Sequence, residues 1–209
     1  MKVAVIGGGS SYTPELINGF IERADSFPMS DLWLMDILPE RLEIVGGFAQ
    51  RMVAAKGSPF RVHLTTDQRE AINGASYVTT QLRVGWMQAR REDEYLGRRH
   101  GLIGQETTGI GGMAKALRTI PVILGIARDM VELAEPGALL VNFTNPAGLV
   151  TQALTQYAPD VTAVGVCNAP FHMKMNVLEG LARMGITVEP ERAQLDTLGR
   201  KHLTWHSGL

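Results

Sequence analysis

Gly7, Gly8 and Gly9, with Asp36 further along, are the residues of this 209-residue chain whose types and spacing first point to chemistry. A glycine series lets backbone turn tightly and approach a ligand with no Cβ in the way. The N–H groups opening a following helix attract an anion. A carboxylate at the tip of the next strand can accept both hydroxyls of a ribose. That combination binds a dinucleotide, and the acid repels the extra phosphate of NADP, so NAD is the expected cofactor. Gly7 is expected to permit the turn and Gly9 to admit the pyrophosphate.

The elements needed to position these residues are present in order. Lys2 to Ile6 reads KVAVI, a short β-branched run; Leu16, Ile17, Phe20 and Ile21 have helical spacing; Leu32 to Met35 is a second apolar run ending on Asp36. The third glycine of the GxGxxG pattern falls on Tyr12, so helix and strand cannot approach there in the usual way. The competing reading is a glycine turn in an α/β protein without a nucleotide. The order strand, turn, helix, strand, acid favours the nucleotide.

Composition narrows the class. The net charge of −1 provides no global basic field, which argues against nucleic acid as a partner. One cysteine excludes an internal disulfide framework and fits a reducing compartment. The chain begins directly in a strand, without a signal peptide, and no apolar run is read as approaching membrane-spanning length. A soluble cytoplasmic protein without a membrane partner is expected.

Beyond Asp36, Pro39 opens a helix with Leu42, Ile44, Val45, Phe48 and Met52 on its apolar face. Phe60 to Leu64 is a strand, Asp67 caps a short helix through Ile72, and Ser76 to Leu82 is the next strand. Such alternation predicts a parallel, doubly wound sheet. Residues 83–113 are dense in charge and then in glycine. On charge alone Arg90 to Glu94 reads as a solvated helix face. The segment nevertheless leaves the carboxyl end of a strand, where open α/β sheets bind ligands. Gly109, Gly111 and Gly112 are expected to form a loop, and Pro121 to break the helical pattern of Ala114 to Leu133. Strands follow at Ala138 to Phe143 and Val161 to Val166, helices at Leu149 to Tyr157 and Phe171 to Met184, and a last strand over Gln194 to Trp205. Asn145, after the strand ending near Phe143, can face a ligand.

GGGSSYTPE at Gly7 to Glu15, GLIGQETTG at Gly101 to Gly109, NFTNP at Asn142 to Pro146, GVCN at Gly165 to Asn168 and a GxxHL context around His202 occur in one order. This set closely resembles the NAD- and divalent-metal-dependent glycosidases of glycoside hydrolase family 4, nearest to members acting on 6-phospho-β-glucosides. The resemblance runs along the whole chain. It implies a reaction outside the usual two-carboxylate hydrolysis. NAD takes hydride from sugar carbon 3, the proton on carbon 2 becomes acidic, and a divalent metal, usually manganese, stabilises the enolate. The aglycone leaves, water adds and the hydride returns.

The resemblance also implies roles. Gly7, Gly8, Gly9, Ser10, Ser11, Asp36 and Arg41 would contact NAD. Cys167 resembles a thiolate metal ligand and His202 the second ligand, with His172 and His206 as rivals; thiolate plus imidazole would suit zinc as well as manganese. Arg90 matches an arginine contacting the sugar or its phosphate, and Asn145 an asparagine on sugar hydroxyls. Asn168 would touch substrate near the reacting centre, and Glu106 would raise the basicity of the catalytic base. An amide at Asn168 cannot donate an acid proton, which favours β-type over α-type members.

Two departures stand out. Arg200 and Lys201 replace the Leu-Asn usual before the histidine. The family's catalytic tyrosine does not align with Tyr12, Tyr77, Tyr95 or Tyr157 and would lie beyond Leu209. The expected architecture is a Rossmann-like, mostly parallel α/β domain over residues 1–168, then the truncated start of an α+β substrate and metal domain over 169–209. The isolated chain is expected to bind NAD without hydrolysing substrate, and the full-length form to be a homo-oligomer. Alternatives are a 6-phospho-α-glucosidase or α-galactosidase of the same family, a 2-hydroxyacid dehydrogenase, and a non-catalytic NAD-binding module.

Overall fold

The computed structural model describes residues 1–200 and 203–208. In chain order the first half comprises β1 (Lys2–Ile6), α1 (Thr13–Glu22), β2 (Asp31–Met35), α2 (Pro39–Ala55), β3 (Arg61–Thr65), α3 (Gln68–Ile72) and β4 (Tyr77–Thr80). Then come α4 (Trp86–Arg99), α5 (Gly109–Leu133), β5 (Leu139–Asn142), α6 (Ala147–Tyr157), β6 (Thr162–Gly165), α7 (Ala169–Arg183), β7 (Asp196–Arg200) and β8 (Leu203–Ser207). Six strands form one parallel sheet in the order β3-β2-β1-β4-β5-β6. The order reverses between β1 and β4, which opens a crevice at their carboxyl ends, the place where such sheets bind ligands. The expected doubly wound, Rossmann-like sheet is therefore observed.

The period-2 alternation of β1 shows how the layers are built. Val3 and Val5 point to one face, among Ile17, Leu34, Leu42 and Val53 from β2, α1 and α2. Ala4 and Ile6 point to the other, among Ile72, Ile123, Ile126, Leu140 and Leu154 from α3, α5, β5 and α6. Both faces are apolar because both are covered by helices. Asp67 caps α3 as expected, its carboxylate accepting from the Arg69 and Glu70 N–H groups.

Several local expectations are corrected. Pro121 does not break α5, which runs unbroken from Gly109 to Leu133. Pro121 and Leu117 are both on the exposed side, so the Leu117 carbonyl that loses its helical donor faces water. Gly111 and Gly112 are not loop residues but lie buried in the first turn of α5. A Cβ on Gly111 would meet the Gln105 carbonyl oxygen at 2.2 Å and that of Asp93 at 2.8 Å, so glycine here serves close packing. By length and composition alone α5 is long and apolar enough to cross a membrane, contrary to the sequence reading that no apolar run approaches that length. In this fold its apolar stripe of Ile123, Ile126, Ala127 and Met130 is part of the core against the sheet. The strand expected over Gln194 to Trp205 is instead two strands, β7 and β8, paired antiparallel in a separate sheet.

Candidate functional site

The glycine turn is anchored on β2. The N–H groups of Gly7 and Gly8 both donate to the Met35 carbonyl, at 2.9 and 2.7 Å. Gly7 has φ +99°, the left-handed region that the expected turn requires. A Cβ on Gly8 would stand 2.7 Å from the Leu34 Cβ, so Gly8 provides the close contact between turn and strand. What the bare Cα of Gly9 accommodates is the Asp36 carboxylate, 2.8 Å from where its Cβ would be.

Asp36 lies at the end of β2, 7% exposed. Its Oδ2 accepts the Gly9 N–H at 2.9 Å and its Oδ1 the Leu38 N–H at 3.0 Å. The carboxylate thus ties the glycine turn to the entry of α2, and each oxygen retains a further lone pair for a hydroxyl. Arg41 donates from Nε and Nη2 to the Gly9 carbonyl, at 3.1 and 3.0 Å, bracing the same turn. The Ser10 hydroxyl accepts the Tyr12 N–H at 3.2 Å, and Ser11 is exposed.

Two residues that the sequence reading passed over complete the turn. Thr13, fully buried, donates to the Gly8 carbonyl at 2.8 Å. The Gln81 side chain donates to the Thr13 hydroxyl at 2.7 Å and to the Gly7 carbonyl at 3.2 Å. The available signal was Thr13-Pro14 at a helix start; nothing local marks Gln81. Tyr12, in place of the third glycine, turns outward. Its ring packs edge-on against Phe143 at 5.5 Å, and its hydroxyl accepts from the Asn168 amide at 3.4 Å. It therefore joins the turn after β1 to the ends of β5 and β6.

The second group of site residues gathers beyond β4. Glu106, in the loop between α4 and α5, pairs through Oε1 with Arg83 and Lys115, and through Oε2 with Arg90 at 3.4 Å. Arg90 also donates from Nε to Glu94 at 2.8 Å. Beside them Arg118 grips Asp93 with both terminal nitrogens and donates from Nε to the Val84 carbonyl at 3.0 Å. The Lys115 side chain is 2% exposed and that of Glu106 12%. The solvated face read from charge alone for Arg90 to Glu94 holds for exposed Arg91 and Glu92 but not for Asp93, which is buried at 4% exposure, nor for Arg90, which turns toward Glu106. Arg83, Asp93, Lys115 and Arg118 were not singled out from sequence, because each becomes meaningful only through a partner on another element.

Burial works against ionisation of Glu106, but the Lys115 hydrogen bond and the charges of Lys115 and Arg83 prevail and hold its carboxyl below the usual range. Burial pushes the Lys115 ammonium down as well; Glu106 pulls it back up, while Arg83 and Arg90 depress it further. Both shifts are those expected of a cluster with surplus positive charge: three cations share one central carboxylate, and Glu94 offsets only part of the excess.

The third group lies at the ends of β5 and β6. Asn142 accepts from the Thr80 hydroxyl at 2.8 Å and donates to the Thr144 carbonyl at 3.0 Å, and the Thr144 hydroxyl accepts the Leu82 N–H at 3.0 Å. These buried bonds lock the ends of β4 and β5 and present half-buried Asn145, whose peptide bond to Pro146 is cis. Cys167, half-buried just past β6, accepts the Ala169 N–H on its sulfur at 3.5 Å. Asn168 follows at the N-cap of α7, its amide 3.5 Å from His172 Nε2. His206 sits in the hairpin, with Nδ1 3.0 Å from the Thr197 hydroxyl. His202 lies outside the described residues. Among the described residues no cluster of three or more His, Cys, Asp or Glu side chains is arranged to hold a metal. Cys167 thus offers one soft donor at a strand end, and a complete shell needs donors from elsewhere.

Comparison with known proteins agrees with this geometry. A family model described as "Family 4 glycosyl hydrolase" matches residues 2–183. The chain is 51% identical over 207 residues to a probable 6-phospho-beta-glucosidase of Bacillus subtilis (strain 168), covering 98% of this chain and 46% of that protein. It is 45% identical over 207 residues to the 6-phospho-beta-glucosidase of Escherichia coli (strain K12), covering 98% of this chain and 45% of that protein. A structure of the 6-phospho-beta glucosidase from Thermotoga maritima with manganese, NAD+ and glucose-6-phosphate superposes with a TM-score of 0.84 at 34% identity, covering 99% of this chain and 48% of that one. The chain spans about half the length of the curated relatives it matches.

Proposed function

Because the chain belongs to glycosyl hydrolase family 4, we propose that it carries the dinucleotide-binding part, and some of the substrate contacts, of an enzyme that hydrolyses 6-phospho-β-glucosides by NAD-dependent, redox-assisted elimination. One observation carries this reading. The glycine turn, the Glu106 cluster, Asn145 and Cys167–Asn168 follow four different strands and all emerge at the carboxyl edge of one parallel sheet.

When bound, NAD supplies a hydride acceptor and later a hydride donor for sugar carbon 3, and a divalent cation, manganese as in the T. maritima structure, supplies charge stabilisation once the proton on carbon 2 is lost. The residues of the chain do the rest of the work assigned here. The Gly7–Gly9 turn, with Ser10, Ser11 and the start of α1, receives the pyrophosphate. Asp36 accepts the ribose hydroxyls on its remaining lone pairs, with Arg41 keeping the turn in place. Arg90 meets the sugar or its phosphate with a forked guanidinium. Asn145 and Asn168 orient sugar hydroxyls. Glu106 stays ionised and tunes the proton-accepting group. Cys167 and His202 are the proposed metal ligands. The amide at Asn168 favours the β anomer, because it has no acidic proton to give. We place a domain boundary near residue 168, where the six-stranded sheet has ended and the hairpin sheet is still to come.

Titration of the chain with NAD and NADP tests the reading. NAD is expected to bind in strong preference, and Asp36→Ala to lose that preference. Equal affinity for the two dinucleotides would overturn the role given to Asp36.

A further inference from the structure

The outward side of α4 carries a basic feature that the Glu106 cluster does not use. Arg90, Arg91, Glu94, Tyr95 and Arg98, with Gly104 of the following loop, line a groove of about 350 Å³. Buried Asp93 and Gly97 are on the inward side of the helix. Two glycines let the loop form the other wall. A Cβ on Gly97 would stand 3.0 Å from the Ile103 carbonyl oxygen, and one on Gly104 3.3 Å from Arg98 Cγ.

The charges in this groove do not balance. Arg90 is committed, with Nε donating to Glu94 at 2.8 Å and Nη1 lying 3.4 Å from Glu106. Glu92 pairs with Arg99 at 3.4 Å. Among the described residues Arg91 and Arg98 have no carboxylate within ion-pair distance. Both guanidiniums lie over the Tyr95 ring instead, at 5.3 and 5.4 Å from its centroid. A position in the last helical turn accounts for Arg98, but not for Arg91 in the middle of the helix. Two cations kept on one helical face repel each other unless an anion joins them. A guanidinium held against an aromatic ring retains its in-plane N–H groups for an oxyanion, and less of its freedom remains to be lost on binding.

We propose that this groove is a binding site for a phosphate dianion carried by a small molecule, with Arg91 and Arg98 as its two forks and Tyr95 as the platform that holds them. One dianion matches the two unneutralised cations. Its oxygens suit paired N–H donors, which a single carboxylate fills less completely. The volume holds one small ligand rather than a polymer. Every lining residue belongs to residues 87–104, so the site needs nothing from outside the chain. It stands on the groove alone and not on the function proposed above.

Calorimetric titration of the chain at constant ionic strength tests this, with inorganic phosphate, glucose 6-phosphate and unphosphorylated glucose as probes. Both phosphate-bearing probes are expected to bind and glucose is not. Tighter binding of glucose 6-phosphate than of phosphate supports the site and names a phosphorylated sugar as its ligand; equal binding supports the site as one for the phosphate group alone. Arg91→Gln and Arg98→Gln should each weaken binding by about tenfold, and the double variant should abolish it. Arg91→Lys keeps the charge but loses the fork, and should weaken binding several-fold. No phosphate binding in wild type, or binding unchanged in the double variant, overturns the proposal. Full binding by Arg91→Lys also overturns it, because an adventitious ion only, attracted by surface charge, gives that result. NAD affinity is expected to be the same in all variants, so failure here leaves the reading of the glycine turn standing.

Discussion

The glycine turn and the Glu106 cluster flank the same crevice but are stabilised in different ways. The turn is a backbone structure: its N–H and carbonyl groups bond to Met35, Asp36, Thr13, Gln81 and Arg41, and its only buried charge is one carboxylate. The cluster is a side-chain structure, in which Arg83, Arg90 and Lys115 from three segments depend on Glu106. Neutral hydrogen bonds each contribute little and fail singly. A buried carboxylate shared by three cations fails as a unit. The cofactor end of the crevice is therefore expected to tolerate change better than the substrate end.

Denaturation of single variants can break that comparison. The largest effect is expected for Glu106→Leu, which strands the buried Lys115 ammonium and should cost about 3–5 kcal/mol. A loss below about 1 kcal/mol would show that the cluster is not a stabilising unit. Gly111→Ala drives a Cβ into two backbone carbonyls at the cluster's base and should cost about 3 kcal/mol. Asp36→Ala leaves two backbone N–H groups without acceptors and should cost about 2 kcal/mol, less than Glu106→Leu. The reverse order would mean that the turn, not the cluster, is the fragile side.

Acid sharpens the contrast. The carboxyl of Glu106 titrates below its ordinary 4.5 when folded, so its contribution is complete above that value and is lost as pH falls through the lower folded pKa. The stability gap between wild type and Glu106→Gln should therefore be constant above pH 4.5 and shrink below it. A gap independent of pH would remove the charge-based account. The smallest effect belongs to Glu94→Gln. That ion pair with Arg90 is more than a third exposed and spans one helical turn, so water and salt screen it to about 0.5 kcal/mol or less.

Legibility follows the same division. KVAVI, the glycines and Asp36 could be read in order because a βαβ unit is written by local periodicity and neighbouring turns. Asn145 and Cys167–Asn168 were legible as polar residues closing apolar strands. The charge pattern of Arg90 to Glu94 marked the exposed Arg91 and Glu92 but not the burial of Asp93, because periodicity does not show that Arg118, 25 residues further on, pairs with it. Gly111 and Gly112 were misread as loop because glycine density looks the same whether it serves flexibility or close packing. The hairpin was missed because residues 196–207 contain no strong turn signal that separates two strands from one.

The sequence by itself determined the alternation of strands and helices, the turn that opens α1, the acid that closes β2 and the family to which the motifs point. These are encoded by residues near one another in the chain, where steric and hydrogen-bonding preferences act locally. Only the tertiary structure decided that Lys115 and Arg83 share Glu106 and that Tyr12 reaches Asn168. Those relations join segments up to 156 residues apart, and a pairing of that kind comes into being only when the sheet brings its strand ends to one edge.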